Sequence, residues 1–242
     1  MDLVRIAVIA TVRRFGLFSV AISAVLSGVV CTPAARSDTC PDVHVVFARG
    51  TGESPGVGWV GQTFIDKLKT KLAGKTVTAY GVNYPAGWDF TKSASAGAAD
   101  ANAHIRSAVA VCPQTKLVLG GMSQGSGVID LITVGSRPIW FFTPSPLPSG
   151  VADHVAAVAV FGNPSRDYPM LGPLTSLSPD YGPKSIDQCA PGDPICSNGL
   201  NYFAHLTYPW SGMVDQAADF AASQVVQQMG AARTAGLPKA VN

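Results

Sequence analysis

The amino-acid sequence predicts an α/β fold, a three-layer sandwich in which helices cover both faces of a mainly parallel β-sheet. Short apolar and β-branched runs alternate along the chain with stretches that carry apolar residues at helical spacing, and this alternation is typical of parallel sheets. In addition, 47% of the 242 residues are hydrophobic and only 13% are charged. Such a composition can fill one sizeable core and excludes a disordered chain.

The first half of the chain contains three predicted strands. Residues 43–48 form a short apolar run, residues 76–84 are rich in β-branched and aromatic residues, and residues 116–120 precede a helical pattern. Residues 94–111, which are rich in alanine, are predicted to be helical. Another helix precedes the second strand, because the following residues share one helical face: Val60, Phe64, Ile65, Leu68 and Leu72.

The second half continues the alternation. A helix is predicted over residues 125–134, followed by a strand at residues 155–161 whose continuous apolar run indicates burial on both faces. Residues 184–187 are a candidate for a short fifth strand. An amphipathic helix over residues 213–229 closes the fold, and the residues from 231 onwards are expected to form a frayed tail.

The first 35 residues are predicted to be a secretory signal peptide. Residues 2–14 contain three arginines and one acid, residues 15–30 form an apolar run, and residues 32–35 are small. A membrane anchor is the alternative, but the apolar run is shorter than the roughly 20 residues that a spanning helix needs. The predicted limits are therefore 1–35 for the signal peptide, 36–230 for the globular domain and 231–242 for a flexible tail.

Removal of the signal peptide changes the charge of the chain. The formal charge of +2 falls to zero, because three arginines and one aspartate leave with the peptide. A neutral protein lacks the basic surface that nucleic-acid binding requires, and it lacks the polybasic segment expected for anionic lipid. We therefore expect a secreted protein that binds no nucleic acid.

The cysteines are also consistent with export. Cys31 is removed with the signal peptide, which leaves an even number in an oxidising compartment. Four cysteines predict two disulfides with three possible connectivities. No Cys-x-x-Cys pair is present, so a thiolate zinc site is not expected, and neither a metal nor a cofactor is predicted. The remaining cysteines are Cys40, Cys112, Cys189 and Cys196.

The strongest indication of chemistry is the pentapeptide Gly-Met-Ser-Gln-Gly at residues 121–125, which follows the third strand and opens a helix. A serine between glycines in that setting is typical of a nucleophile elbow, in which a tight turn lifts the serine oxygen above the sheet edge. The free N–H groups of the following helix suit a developing oxyanion. Ser123 is therefore the predicted nucleophile, and a turn without chemistry is the alternative. Ser126 is interpreted as a helix-turn residue.

Four histidines are candidates for the base that a serine nucleophile requires. In this type of site the acid and then the histidine follow the serine along the chain. His44 and His104 both precede Ser123. His154 opens a buried strand at its amino end, which is the wrong end for a site at the carboxyl edge. His205, in the loop before the last helix, is therefore the predicted base.

Asp187 and Asp193 are the two candidates for the acid that orients the base. Asp187 lies at a strand end and is equally suited to a turn. Asp193 lies between Cys189 and Cys196, and a local disulfide there would clamp the carboxylate against an imidazole. We therefore expect Asp193 to be the acid.

Two backbone N–H groups are expected to form an oxyanion hole. One belongs to Gln124, the residue after the nucleophile, and the second comes from the loop at residues 49–52, where Thr51 is the candidate. A plain glycine turn is the alternative interpretation of that loop.

Three groups of residues resemble a known family. Cys40-Pro-Asp precedes Val-Phe-Ala-Arg-Gly-Thr at residues 46–51, Gly-Gly-Met-Ser-Gln-Gly occupies residues 120–125, and a Cys-x3-Asp-x2-Cys loop precedes His205. This combination spans nearly the whole mature chain. It resembles the cutinase family, especially its secreted mycobacterial cutinase-like esterases.

The resemblance implies a compact α/β-hydrolase domain with a central five-stranded sheet and no large lid domain. It implies a triad of Ser123, Asp193 and His205, with Thr51 and Gln124 in the oxyanion hole. Because serine often occupies the first oxyanion position in the family, Thr51 is a mild departure whose hydroxyl can still donate. The resemblance also implies the disulfides Cys40–Cys112 and Cys189–Cys196.

The stretch at residues 135–150 follows the nucleophile helix and contains aromatic residues and three closely spaced prolines. Residues 138–142 are hypothesised to form an apolar flap that grips an acyl chain or touches a lipid surface. The alternative is a loop that buries its aromatic side chains in the core.

Ester hydrolysis through an acyl-enzyme is the predicted function, with acyl or lipid esters as substrates and a monomeric enzyme. A phospholipase A or a lipid acyltransferase with the same triad is the main alternative. A dinucleotide-binding module is disfavoured, because Pro55 occupies a fingerprint position that requires glycine or alanine. A catalytically silent secreted binding protein is disfavoured because every triad residue type is present in order.

Overall fold

The computed structural model describes residues 40–136, 142–168 and 171–235, with side chains up to residue 232. The predicted signal peptide and its cleavage site lie outside the described residues. Residues 138–141 of the predicted flap also lie outside them, whereas Phe142 packs against a buried hydrophobic cluster.

A five-stranded sheet forms the centre of the molecule, and every strand pair in it is parallel. The strand order is β2-β1-β3-β4-β5. This sheet, with helices on both faces, confirms the predicted α/β fold. The strands are β1 (Val43–Ala48), β2 (Val77–Gly81), β3 (Lys116–Met122), β4 (Val155–Phe161) and β5 (Ser185–Gln188).

Burial along the strands follows their apolar content. All seven residues of β4 are buried, and β1 and β3 are buried at every position but one. These three strands occupy the middle of the sheet, where both faces are covered. The edge strands β2 and β5 are partly exposed, and β2 has threonine in its interior. Because all strand pairs are parallel, the carboxyl ends of the five strands lie at the same edge of the sheet.

Among the described residues, five α-helices surround the sheet. They are α1 (Gly58–Lys71), α2 (Phe90–Val111), α3 (Gln124–Thr133), the short α4 (Leu174–Leu177) and α5 (Met213–Ala235). One face of the sheet is covered by α1 and α5, which share a buried cluster with Phe47 and Phe161. The other face is covered by α2 and α3, which share a cluster with Val46 and Leu119. The carboxyl edge of the sheet consequently lies between two helical layers.

Ion pairs join α1 to α5 on the outside of their layer. The Nζ of Lys67 is 3.1 Å from the Oδ1 of Asp215, and the Nζ of Lys71 is 2.6 Å from the Oδ1 of Asp219. At the far end of α5, the Nε2 of Gln228 donates to the carbonyl oxygen of Asp153 over 2.6 Å. Asp153 lies two residues before the start of β4, so the last turns of α5 lie at the amino edge of the sheet.

Two helix boundaries differ by four or more residues from the sequence-based expectation, whereas the two ends of α3 each differ by one residue. α2 begins at Phe90, four residues before the predicted start, because the side chain of Asp89 accepts a hydrogen bond from the amide of Lys92 and caps the helix. α5 extends beyond residue 229 to Ala235, so the first residues of the predicted tail are helical. Both ends lie in polar or alanine-rich segments, where the apolar pattern gives no boundary.

The structure contains the two disulfides that the family resemblance implied. Cys40 is bonded to Cys112 across a separation of 72 residues, which ties the start of the described chain to the end of α2. Cys189 is bonded to Cys196 across only 7 residues and closes a small loop after β5. Within the described parts of the chain, no helix is both long enough and apolar enough to span a membrane.

Candidate active site

Ser123 lies in a strained turn between β3 and α3. Its backbone has φ 54° and ψ −118°, and it is one of two non-glycine residues with positive φ in the described chain. Such conformations cost free energy and are found where function requires them. A Cβ on Gly121 would lie 2.3 Å from the carbonyl oxygen of Gly125, and a Cβ on Gly125 would lie 2.0 Å from that of Ala48. Glycine is therefore required on both sides of the elbow.

The elbow is anchored to the neighbouring strand β4. The amide of Ser123 donates to the carbonyl oxygen of Phe161 over 2.9 Å. The fully buried hydroxyl of Ser126 lies 2.9 Å from the carbonyl oxygens of both Gly121 and Phe161. Ser126, interpreted from the sequence as an ordinary helix-turn residue, thus also joins the two strands directly beneath the predicted nucleophile.

Asp193 and His205 are brought together by the structure. The Nδ1 of His205 is 2.8 Å from the Oδ2 of Asp193. The carboxylate is 0% exposed, whereas the imidazole is partly exposed. A buried carboxylate on Nδ1 orients the ring and leaves Nε2 for proton transfer, which is the arrangement of a catalytic histidine.

Tyr208 is a third member of this network and was not identified from the sequence. Its hydroxyl donates to the same Oδ2 of Asp193 over 2.6 Å and accepts the amide of Ala190 over 3.0 Å. Burial and the contact with Asp193 both raise the pKa of Tyr208, so the phenol stays protonated and acts as a donor. A tyrosine three residues after a histidine has no recognisable motif, so only the fold reveals the contact.

Three hydrogen-bond donors determine the charge state of Asp193. Burial raises the pKa of Asp193, but hydrogen bonds from His205, Tyr208 and the amide of Ile195 outweigh burial and lower it below its ordinary value. The amide of Ile195 reaches Oδ1 over 2.8 Å. Asp193 is consequently an ionised carboxylate in a dry environment.

Gly162 connects this pair to the serine elbow. It follows Phe161, the residue whose carbonyl oxygen accepts the amide of Ser123, and its φ is +57°. A Cβ at this position would lie 2.7 Å from the Cε1 of His205 and 3.3 Å from the Oδ2 of Asp193. The imidazole thus packs on the backbone of Gly162, at the end of the strand next to Ser123. No sequence motif identifies this glycine as important.

The two predicted oxyanion residues are also adjacent. The Nε2 of Gln124 donates to the Oγ1 of Thr51 over 3.2 Å and to the carbonyl oxygen of Gly87 over 2.8 Å. The Oε1 of Gln124 accepts the hydroxyl of Ser93 over 2.7 Å. Because the hydroxyl of Thr51 is the acceptor in its contact with Gln124, its own proton can be donated elsewhere. Gln124 also begins α3, so its backbone N–H is among the helix groups without an intrahelical partner.

A buried arginine and a glutamate shape the loop that carries Thr51. The Nη2 of Arg49 donates to the carbonyl oxygen of Tyr84 over 2.7 Å, and its Nε donates to that of Glu53 over 2.8 Å. The carboxylate of Glu53 accepts the amides of Gly50 over 2.6 Å and Trp59 over 2.7 Å. This loop is therefore a rigid structure and not merely a glycine turn.

The other candidates from the sequence lie elsewhere. The Oδ2 of Asp187 accepts the amide of Leu174 over 2.8 Å, and this carboxylate is not paired with His205. The Nε2 atoms of His44 and His104 are 2.8 Å apart. His44 also contacts Thr78 of β2, and the ring of His104 stacks on Tyr80 of the same strand. The Nδ1 of His154 contacts the carbonyl oxygen of Pro113 at the amino edge of the sheet. These three histidines therefore lie outside the hydrogen-bond network of Asp193.

Several large apolar side chains are exposed on the loops at this edge. Trp88 is 78% exposed, and its ring contacts that of Phe90. Trp88 directly follows Gly87, whose carbonyl oxygen accepts a hydrogen bond from Gln124. Three exposed apolar residues surround His205 in the chain: Tyr202, Phe203 and Leu206. The partly exposed imidazole is thus bordered by apolar surface.

Comparison with known proteins agrees with this geometry. The family model described as Cutinase matches residues 39–225. The chain is 46% identical to Carboxylesterase Culp1 of Mycobacterium tuberculosis over 218 residues, which cover 88% of this chain and 95% of that protein. It is 50% identical to Phospholipase Culp4 of the same organism over 186 residues, which cover 77% and 80% of the two chains.

A solved structure shows the same fold. The catalytic core domain of an acetyl xylan esterase from Trichoderma reesei has a TM-score of 0.66 and 27% identity, and the match covers 76% of this chain and 99% of that one. The family match spans well over half of the chain, and the identity to curated esterases is high. On these grounds the chain belongs to the Cutinase family and is a carboxylic ester hydrolase of the serine-esterase type.

Proposed function

We propose that Ser123, His205 and Asp193 are the catalytic triad of this esterase, with Thr51 and Gln124 as its oxyanion hole. A continuous series of contacts carries the proposal. Asp193 is hydrogen-bonded to His205, and the ring of His205 packs on Gly162. Gly162 follows Phe161, whose carbonyl oxygen accepts the amide of Ser123. No other histidine among the described residues has a buried carboxylate on one ring nitrogen at the carboxyl edge of the sheet.

The reaction proceeds in two steps. His205 removes the proton of the Ser123 hydroxyl as its oxygen attacks the ester carbonyl, and the oxyanion is stabilised by donors from Thr51 and Gln124. His205 then protonates the departing alcohol and leaves an acyl-enzyme. In the second step His205 activates a water molecule, which releases the acid and restores the serine. Asp193 stays ionised throughout and stabilises the imidazolium.

We further propose that the acyl part of the substrate is apolar. The exposed pair Trp88–Phe90 lies beside the oxyanion loop, and exposed large apolar side chains at an active-site edge indicate contact with an apolar ligand. The same surface favours phospholipid as a second candidate substrate, in keeping with the relative named a phospholipase. We expect the enzyme to be secreted and monomeric.

Ester hydrolysis of graded substrates tests these assignments. The purified, oxidised protein would be assayed on p-nitrophenyl esters from acetate to palmitate and on phosphatidylcholine vesicles. We expect turnover to increase from acetate to a medium chain, and Ser123→Ala to lower kcat by about 10⁴-fold or more. Asp187→Asn is the matched control for Asp193→Asn. A larger loss of kcat in Asp187→Asn than in Asp193→Asn would contradict the triad.

A further inference from the structure

Two histidines on neighbouring elements, β1 and α2, point ring nitrogens at each other. The Nε2 atoms of His44 and His104 are 2.8 Å apart, and the ring centroids are 5.1 Å apart. Both rings are half-buried. The proposed ester hydrolysis uses neither of them, and no sequence motif joins them, because they are 60 positions apart in the chain.

The pair lies at the edge of the sheet opposite the candidate triad. His44 is the second residue of β1, whereas Ser123 directly follows the last residue of β3. The two strands are parallel, so the start of one and the end of the other lie at opposite edges. A ligand bound between the two imidazoles would therefore leave the approach to Ser123 open.

A covalent bond already holds the two elements together. His44 follows shortly after Cys40, and His104 lies about two helical turns before Cys112, at the end of α2. Cys40 is bonded to Cys112, so the disulfide connects the same two elements as the histidine pair. Ligand groups that the fold holds in place lose little conformational freedom on binding, which favours binding.

Contacts with β2 orient both rings. The Nδ1 of His44 is 2.8 Å from the Oγ1 of Thr78. The ring of His104 stacks on that of Tyr80, with centroids 3.6 Å apart and planes within 4°. Thr78 occupies the ring nitrogen remote from His104, and Tyr80 covers a ring face and not an edge. Both Nε2 atoms consequently remain directed towards each other, and a partner on the other nitrogen is typical of histidines that bind metals.

Burial keeps both imidazoles neutral. It lowers the pKa of His104 and, together with the adjacent His104, lowers the pKa of His44 to about 4. The charge of Asp100 on α2 opposes the effect of burial on His104, and this carboxylate accepts the phenol of Tyr80 over 2.9 Å. Neutral imidazole is the form that binds metal ions, so the pair is ready for a metal at neutral pH.

The spacing of the two nitrogens is close to that of two ligands of one ion. Imidazole nitrogens on a tetrahedral Zn²⁺ are about 2.0–2.1 Å from the metal and thus roughly 3.3 Å from each other. The two Nε2 atoms would have to separate by about 0.5 Å and tilt towards a common point, and half-buried rings have room for this rotation. Within the described parts of the chain, no third histidine, cysteine or carboxylate joins the pair. Water would complete the coordination, and binding would be reversible.

We propose that His44 and His104 form a site for a divalent transition-metal ion, which binds Cu²⁺ more tightly than Zn²⁺. Nitrogen ligands favour these ions over Mg²⁺ and Ca²⁺, and affinity for Cu²⁺ exceeds that for Zn²⁺ at a given site. The bound ion joins β1 to α2 beside the disulfide and stabilises the folded chain. This role is independent of the ester hydrolysis at the opposite edge.

Direct metal titration tests the site. The oxidised protein, freed of metal with a chelator, would be titrated with CuCl₂, ZnCl₂ and MgCl₂ at pH 7 in a calorimeter. We expect His44→Gln and His104→Gln each to lower the affinity for Cu²⁺ and Zn²⁺ by about tenfold or more, since even the loss of a residue that orients a ligand costs 10- to 100-fold. Glutamine can still form a hydrogen bond with the remaining imidazole, so both variants should fold. MgCl₂ should give no heat of binding at the pair.

His154→Gln is the matched control, because it removes an imidazole at the same edge of the sheet. It should leave the affinity unchanged, and Ser123→Ala should bind both metals as the wild type does. The electron paramagnetic resonance spectrum of bound Cu²⁺ should show two imidazole nitrogens in the wild type and one in each variant of the pair. ZnCl₂ at roughly 100 times its Kd should raise the urea midpoint of the wild type but not of these variants.

Equal affinities in the wild type and in both variants of the pair would overturn the site. A wild-type Cu²⁺ spectrum with a single imidazole nitrogen would do the same. The two histidines would then form a hydrogen bond and nothing more, while the esterase assignment would stand.

Discussion

Contacts with individual neighbouring atoms determine the orientation of the His205 imidazole. Asp193 accepts three hydrogen bonds, from His205, Tyr208 and the amide of Ile195. The position of the imidazole is restricted by Asp193 at Nδ1 and by Gly162 at Cε1. The ring lies so close to the backbone of Gly162 that no side chain fits between them. Geometry of this kind is sensitive to displacements of less than 1 Å.

Gly162→Ala should therefore abolish most activity in a folded protein. The added methyl group would lie 2.7 Å from the Cε1 of His205 and displace the ring, so we expect kcat to fall by about 100-fold. Gly74→Ala is the matched control, since Gly74 also has positive φ, +83°, but no atom lies within 4 Å of the added Cβ. Both variants should lose similar stability in urea unfolding. Equal kcat values in the two variants would contradict a role for Gly162 in placing the ring.

Tyr208→Phe should change the pH dependence of the reaction. Without the phenol, the pKa of Asp193 rises, and the carboxylate holds the protonated imidazole more strongly. We expect the acid limb of kcat/KM to move to higher pH and kcat to fall by about tenfold at neutral pH. Tyr181→Phe, at another buried tyrosine outside the triad network, should leave the profile unchanged. A uniform loss at every pH would indicate a purely structural role.

At the scale of elements, the two disulfides have different tasks. The bond between Cys40 and Cys112 closes a long loop at the amino edge, far from the candidate triad. The bond between Cys189 and Cys196 closes a short loop that contains Asp193, and the Sγ of Cys196 lies 3.5 Å from the hydroxyl of Tyr208. The first should matter for stability, and the second should matter mainly for the position of the acid.

Serine substitutions would separate these tasks. Removing the Cys40–Cys112 bond should lower the free energy of unfolding by about 4 kcal/mol with little effect on kcat in the folded fraction, because the loop-entropy loss is large. Removing the Cys189–Cys196 bond should cost only about 2.5 kcal/mol but should reduce kcat by about tenfold or more. Urea unfolding and esterase assays at low temperature would measure both effects. The reverse ranking of kcat losses would refute this division.

For the whole molecule, buried titratable groups couple stability to pH. Asp130 on α3 is fully buried, and burial, followed by the nearby charge of Asp187, raises its pKa to about 8 in spite of hydrogen bonds from Ser165 and Asn163. The charged groups facing it are Asp187 from β5 and, beyond that carboxylate, Arg166. The folded protein therefore keeps Asp130 neutral where the unfolded chain ionises it.

The contribution of Asp130 to the free energy of unfolding should consequently fall as pH rises. Below pH 4 both states of the chain hold the Asp130 proton, so the raised pKa has no cost there. Between pH 4 and about 8 the unfolded chain loses the proton and the folded chain keeps it, which favours unfolding. Asp130→Asn removes this titration. Its amide oxygen can still accept from Asn163, and its amide NH2 group can donate to the hydroxyl of Ser165, which reverses the direction of that bond. Its free energy of unfolding relative to the wild type should thus increase between pH 5 and pH 8 in urea titrations, and a constant difference would contradict the assignment.

The fold was predictable because its periodic patterns are unbroken. The central strands β1 and β4 have the predicted limits, since β4 is a continuous apolar run and β1 is apolar except at His44. The pentapeptide, the chain order and the cysteine loop predicted Ser123, His205 and Asp193 as candidate site residues, and the family resemblance added both cystine pairs. Tyr208 and Gly162 could not be predicted, because their importance arises only when β4 and the last loop meet in space.

The parallel direction of the strands determines where the enzyme can be joined to a tag or a solid support. Cys40 lies just before β1 and the last turns of α5 lie beside Asp153, so both ends of the described chain emerge opposite the edge that carries Ser123. A strand of six residues separates the two edges by about 20 Å. A tag, a carrier protein or a solid support joined at either end would therefore leave the substrate-facing side unobstructed, which makes the fold well suited to immobilised use.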